Sequence, residues 1–351
     1  MHILIIQFLL LSVLAMGLAL TSLKKKEKDL IFMVIAFASM WYIHSMVKVM
    51  SVPDLSNYED LFYYTRHMTW RNCLNYSGAM EAGWVALNKL VSLLTNNYYL
   101  FQGLYGFVLL FLYFYSFRRY SPYVMISILL LLAGSYNISI YVMRQYLAVA
   151  IFVASFPFIL DRKMIPYLII CFMMFFIHKT AIICVPIYFM YQLKPKYLIL
   201  SVILLTVGIF FLLDVFMLFS IETISDYEEY LVKGESGSQA YVGAAIAGII
   251  TFLYIFALKE VVWSDGIHKL IFVLLLLAVL VNIAIIGRPG TMSRLTSFYE
   301  TSILFALPLI MNTKRPFVEK MIALIIVFFL RVYPTFFGSI GLGDLTNMKL
   351  L

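Results

Sequence analysis

Apolar runs near the length a bilayer demands recur from one end of this 351-residue chain to the other, and no other feature limits its fold so strongly. A hydrocarbon layer about 30 Å thick takes roughly 20 apolar residues of helix to cross. Backbone polar groups find no water inside it, so helices that satisfy their own hydrogen bonds are the economical solution. The runs fall at 2–22, 30–50, 98–117, about 123–134, 140–160, 197–219, 241–258 and 269–287, with further ones ending near 311 and 330. With 63% hydrophobic residues, 13% charged residues and a mean hydropathy of +0.95, a soluble domain is excluded. The expectation is an all-α polytopic membrane protein, a single membrane domain over 1–351 with about 11–12 transmembrane helices.

Residues 164–191 are too long for one comfortable span and carry His178-Lys179 in the middle. A short helical hairpin turning at His178 is expected there. A large polar segment, 51–97, reads as an extracytoplasmic loop. Inside it, residues 84–94 place apolar residues at 84, 87, 90, 91 and 94 against Asn88, Lys89 and Ser92, the pattern of an interfacial helix. The acidic stretch 220–240 reads as a second outer loop.

Charge fixes the orientation. The basic cluster Lys24-Lys25-Lys26-Glu27-Lys28 follows the first apolar run, the reverse of a cleavable signal peptide. A retained first helix with its N-terminus outside is expected, in a cytoplasmic membrane. That orientation places Arg118-Arg119, Arg162-Lys163, Lys194 and Lys196, Lys259 and Lys269, and Lys314 to Lys320 in cytoplasmic loops. The net charge of +8 is therefore a membrane signature, and no nucleic-acid partner is expected. Cys73, Cys171 and Cys184 show no metal-ligand or disulfide spacing, and no metal or cofactor is expected.

Arg144, Lys179, Arg288 and Arg294 break the charge rule by falling at outer ends of spans. Intramembrane ionisable residues are functional candidates by default, and guanidinium cannot escape burial by losing its proton. On a continuous helix Asn137, Tyr141, Arg144 and Ala148 would share one face, with Gln145 beside them. Two readings stay open for Arg144: an ion pair with Asp54 or Glu300, or an anion site. Later, Pro289-Gly290 breaks a helix, Thr291 is a candidate N-cap, and Arg294 would sit in a first turn that favours anions. Ser293, Ser297 and Glu300 would then form a polar stripe. His178 reads either as a polar cap or as a catalytic group. The loop aromatics Tyr58, Phe62, Tyr63, Tyr64, Trp70 and Tyr76 read as an interfacial belt or as a surface on which sugar rings stack.

Cations at an outer face beside such a loop suit a lipid bearing a pyrophosphate and a saccharide, because arginine's fork matches phosphate oxygens. No nucleotide-binding glycine loop or serine elbow competes with that reading.

The order of these features resembles the EpsG family of bacterial exopolysaccharide proteins, similar in function to Wzy-type O-antigen and capsule polymerases. The resemblance spans roughly residues 30–335. It rests on an outer loop with Asp54 and Tyr58, on Glu81-Ala82-Gly83-Trp84 and on Met143-Arg144-Gln145-Tyr146-Leu147-Ala148. It rests also on Phe176-Ile177-His178-Lys179-Thr180-Ala181 and on Arg294-Leu295-Thr296-Ser297-Phe298-Tyr299. Glu-Ala-Gly-Trp departs from the expected Glu-Pro-Gly or Glu-Tyr-Gly, and Lys179 stands where a small hydroxyl residue often follows the histidine. The resemblance implies a glycosyltransferase that joins polyprenyl-pyrophosphate-linked repeat units outside the bacterial cytoplasmic membrane. A chain-length regulator and a flippase would be its pathway partners. Arg144 and Arg294 would hold the pyrophosphate, helped by Arg288 and Lys179. Asp54, His178 or Glu300 would take the acceptor proton, and Tyr141, Gln145, Asn137, Glu81 and Tyr58 would line the site. The alternatives are a flippase or exporter of the same lipid, an O-antigen-type ligase, and a non-catalytic scaffold.

Overall fold

The computed structural model describes residues 2–52, 54–76, 78, 80–220, 236–259, 262–263, 266–287, 294–332 and 348–351. The described residues are helical, without a strand; one isolated bridge pairs Val47 with Leu350. Among the described residues, five helices are long and apolar enough to cross a membrane: Ile3–Leu20, Lys25–Met46, Tyr98–Tyr120, Ala240–Leu258 and Gly266–Ala284. Shorter apolar helices cover Met143–Ala154, Met164–Ile177, Tyr197–Gly208 and Ser297–Met311. The chain is an all-α polytopic membrane protein.

It divides into two compact units. The first comprises Met1–Phe156, Ile169–Ile182 and Leu324–Leu351. It opens with α1 (His2–Leu20), α2 (Lys25–Met46), α3 (Leu55–His67), α4 (Trp70–Leu74), α5 (Ala82–Ser92) and α6 (Tyr98–Tyr120). Next come α7 (Val124–Leu132), α8 (Ser135–Ser139) and α9 (Met143–Ala154); α10 (Phe156–Leu160) and α11 (Met164–Ile177) are divided, with Pro157–Leu168 in the second unit. The centre of this unit is α6, packed on α2 and α9. Small residues allow the close approach to α2: a Cβ on Gly106 would lie 2.9 Å from His44 Cγ. Gln102 then reaches the end of α2, donating to the His44 carbonyl at 2.6 Å, and Trp41 Nε1 donates to Gly103 O at 2.8 Å.

The helices of the 51–97 segment, α3, α4 and α5, pack on one another. Trp84 is the anchor, fully buried with its ring 5.6 Å from Tyr58, 5.8 Å from Phe101 and 6.1 Å from Tyr105. α5 turns polar residues as well as Trp84 inward. Asn88, Lys89 and Ser92 are buried, while Leu90, Leu93 and Leu94 point outward. The polar residues go inward because they have partners there. Lys89 Nζ donates to Arg66 O at 2.7 Å, and Asn88 Nδ2 donates to Trp84 O at 2.9 Å.

The second unit comprises Pro157–Leu168 and Ile183–Ala323. It holds α12 (Val185–Gln192), α13 (Pro195–Ser220), α14 (Ser236–Leu258), α15 (Gly266–Ala284), α16 (Ser297–Glu300) and α17 (Ile303–Met311). Then α18 (Phe317–Val327) crosses back into the first unit's last segment. The hairpin expected at His178 is present. After α11 the chain makes a 3-10 turn, Lys179–Cys184, and α12 returns along α11. Tyr167 Oη donates to Cys184 O at 2.7 Å, its ring stacks on Tyr188 at 5.7 Å, and Tyr188 Oη donates to Arg162 O at 2.7 Å. The acidic stretch 221–235 lies outside the described residues.

Candidate active site

Gly134 ends one helix and the chain breaks again at 140–142, where Val142 has φ −102° and ψ 57°. This corrects the expectation of one helical face shared by Asn137, Tyr141, Arg144 and Ala148. Asn137 belongs to α8, Tyr141 to the break, and Arg144 and Ala148 to α9. The break has a consequence for charge. Arg144 becomes the second residue of α9, so a cation sits against the positive end of a helix dipole. A carboxylate there relieves both.

That carboxylate is Glu81, at the residue preceding α5. Arg144 Nη1 donates to Glu81 Oε2. The partner is therefore neither Asp54 nor Glu300, the carboxylates expected from sequence. The Arg144 and Glu81 side chains are only 15% and 10% exposed, which makes this a largely desolvated pair. Tyr58, on the first turn of α3, also hydrogen-bonds Arg144.

The other oxygen of Glu81 faces the hairpin tip. Oε1 lies 3.1 Å from His178 Nδ1 and accepts the Lys179 backbone N–H at 3.2 Å. Burial pushes the Glu81 carboxyl up, but the His178 hydrogen bond, the Arg144 charge, the imidazole and the Lys179 N–H outweigh it and hold the group down to about 2. The carboxylate is ionised at any working pH. His178 is buried, and its Nε2 has no hydrogen-bond partner among the described residues. The Lys179 side chain is exposed.

Glycine makes this meeting sterically feasible. A Cβ on Gly83 would lie 2.5 Å from Phe176 O and 2.7 Å from Phe176 C, so α5 touches the backbone at the end of α11. Gly83 stands two residues after Glu81, and Phe176 two before His178. The Glu-Ala-Gly-Trp motif is thus one device: a carboxylate, a contact glycine and a buried anchor, Trp84.

The remaining sequence candidates lie elsewhere. Asp54 precedes α3 with a left-handed backbone, φ 64°, a conformation aspartate tolerates better than most residues. Its carbonyl accepts the Tyr58 N–H at 3.3 Å, so it sets the start of the helix that carries Tyr58. Gln145 is buried on α9, Tyr141 is half-buried, and Asn137 is buried with no partner for its amide among the described residues. In the second unit Arg294 lies in a 3-10 turn ahead of α16, rather than in the first turn of a longer helix, and its carbonyl accepts Ser297 Oγ at 2.7 Å. Glu300 ends α16 and accepts Asn282 Nδ2 at 3.3 Å. Arg288, Thr291 and Ser293 lie outside the described residues.

A carboxylate that engages one nitrogen of an imidazole and leaves the other without a hydrogen-bond partner among the described residues, beside a guanidinium, can support general-base chemistry with anion stabilisation. A model of the EpsG family matches residues 30–340. No curated protein and no solved structure matches the chain.

Proposed function

The chain belongs to the EpsG family, one of Wzy-like polysaccharide polymerases, and from that premise we propose that it is a membrane glycosyltransferase whose base is His178. A general polymerase-type role comes with membership; the finer reading concerns donor, face and residues. The donor is a polyprenyl-pyrophosphate-linked oligosaccharide and the acceptor a sugar hydroxyl, joined at the outer face of the bacterial cytoplasmic membrane.

One observation supports this reading above all: Glu81 engages Arg144 through one oxygen and His178 through the other. An ionised Glu81 stabilises the proton on His178 Nδ1, which leaves the Nε2 lone pair to take the acceptor hydroxyl proton. The alkoxide-like oxygen attacks the anomeric carbon. The bond from that carbon to the pyrophosphate oxygen breaks, and its electron pair leaves with the lipid pyrophosphate. Charge grows on that leaving group, and in this reading the Arg144 guanidinium meets it, with the Lys179 ammonium as a second cation. Of the candidate bases, His178 is favoured over Asp54, whose observed part is to start α3, and over Glu300, whose observed partner is Asn282. For Arg294 the charge argument alone makes an anion ligand the proposal.

Complementation of a strain lacking the gene tests this. Arg144→Lys keeps the charge and removes the fork, and Arg294→Lys does the same in the second unit. The expected result for Arg144→Lys is loss of long polymer at normal protein level. Long polymer from Arg144→Lys would show that the fork is not used.

A further inference from the structure

The helices of the 51–97 segment hold a second feature, separate from the Glu81 node. A groove of about 600 Å³ lies between the end of α3 and the loop that joins α5 to α6. Its size is within the range of small-molecule sites, about 300–1,000 Å³. Two rings, Tyr63 and Tyr99, line it together with Arg66, Thr95, Asn96 and Asn97, and Leu93 and Leu94 close one side. The loop is held in shape by its own hydrogen bonds. Asn97 N–H donates to Thr95 Oγ1 at 3.1 Å, and Tyr99 N–H donates to Asn97 Oδ1 at 2.9 Å. Arg66 Nη1 donates to Ser92 O at 3.4 Å, and Lys89 Nζ fixes the Arg66 carbonyl.

We propose that this groove is a saccharide subsite, holding the part of the acceptor glycan that follows the reacting sugar. A sugar ring has an apolar C–H face and a rim of hydroxyls. Tyr63 and Tyr99 offer surfaces for the face, and the amides of Asn96 and Asn97 and the Arg66 guanidinium offer partners for the rim. A phosphate chain would call for more cations than Arg66 supplies. A buried acyl chain would not use the amides. The exposed Leu93 and Leu94 suit a groove whose ligand stays close to the membrane surface.

The same helix links groove and node. Tyr58 meets Arg144 near the start of α3, and Arg66 stands eight residues further on, about 12 Å along the axis at 1.5 Å per residue. A glycan lying along α3 would be gripped away from the reacting hydroxyl, so the groove governs how long a chain is retained between additions.

This inference rests on the polymerase reading, and the experiment separates the two. In a strain lacking the gene, the length distribution of the polymer is compared for wild type, Tyr63→Ala/Tyr99→Ala, Tyr63→Phe/Tyr99→Phe, Arg66→Gln/Asn96→Ala and His178→Asn, with membrane protein levels measured for each. The expected result is a modal length at least threefold shorter for the double alanine variant and for Arg66→Gln/Asn96→Ala. The phenylalanine pair should keep wild-type length, and His178→Asn should give no polymer. Wild-type length from both groove variants, with His178→Asn inactive, overturns the groove and leaves the polymerase reading standing. Loss of protein from the alanine pair but not from the phenylalanine pair, with Arg66→Gln/Asn96→Ala at wild-type length, assigns the rings to membrane anchoring and overturns it too. Normal polymer from His178→Asn instead removes the catalytic reading beneath it.

Discussion

Glu81 Oε1 lies 3.1 Å from His178 Nδ1 although 97 residues separate them, and the same carboxylate binds Arg144 through Oε2. Three distant pieces of the first unit meet at one side chain.

Removing Glu81 should cost more than removing the pair. Glu81→Gln leaves the Arg144 charge largely desolvated against a helix N-terminus, which costs on the order of 3–5 kcal/mol. Glu81→Gln/Arg144→Gln removes the stranded charge as well. Thermal unfolding of the purified protein in detergent should therefore rank wild type highest, the double variant next and Glu81→Gln lowest. Equal midpoints for the single and double variants would mean that the pair is not coupled.

Acid should reveal the same carboxylate. Its folded-state value, about 2, lies below the ordinary 4.5, so the folded protein binds fewer protons than the unfolded chain between those values. The Glu81 contribution is complete above about pH 4.5 and is lost as pH falls toward 2. Stability measured across that window should fall more steeply for wild type than for Glu81→Gln. Parallel curves would contradict the depressed value.

Gly83→Ala should damage the site without touching its chemistry. The new Cβ would meet Phe176 backbone atoms at 2.5 and 2.7 Å, and backbone does not yield as a flexible side chain does. Overpacking of this kind costs about 1–3 kcal/mol, and the displacement falls between Glu81 and His178. A lowered melting temperature together with loss of polymer is expected. Wild-type polymer from this variant would show that the close approach is not needed.

Much of the architecture was legible because membrane physics leaves few choices. The runs, the basic loops and the break at His178 follow from hydropathy and charge, and the returning α12 shows the expected hairpin. Arg144 stood out as a costly cation for the same reason. Its partner did not, because a linear reading ranks carboxylates by their place near a span and cannot see α5 folded onto the tip of α11. The break within 137–148 is not legible in the sequence, since no glycine or proline marks it and only φ and ψ reveal it. For α5 the exposed Leu90 and Leu94 belong to the expected apolar face, while Arg66 and the neighbouring backbone bond Lys89 and Ser92 on the buried side.

In the second unit a built-in control is available. A Cβ on Gly243 would lie 2.4 Å from Asn282 Oδ1, forcing the amide away from Ala278 O and Glu300. A Cβ on Gly248, on the same helix, would meet nothing within 4 Å. Gly243→Ala should therefore lower the melting temperature, by about 1–3 kcal/mol of stability. Gly248→Ala should be neutral or stabilising by up to about 1 kcal/mol through helix propensity. Similar effects of the two substitutions would remove the steric argument for Asn282.

The central claim is that His178 Nε2 takes the acceptor proton while Glu81 holds Nδ1. An asparagine at this position can place its amide N–H near the Nδ1 position and still bond Glu81, but it has no counterpart of Nε2. The decisive measurement is polymer formed by His178→Asn in a strain lacking the gene, normalised to protein in the membrane. The account predicts normal protein level and no chain beyond the single repeat unit. Long polymer at a wild-type amount would contradict it.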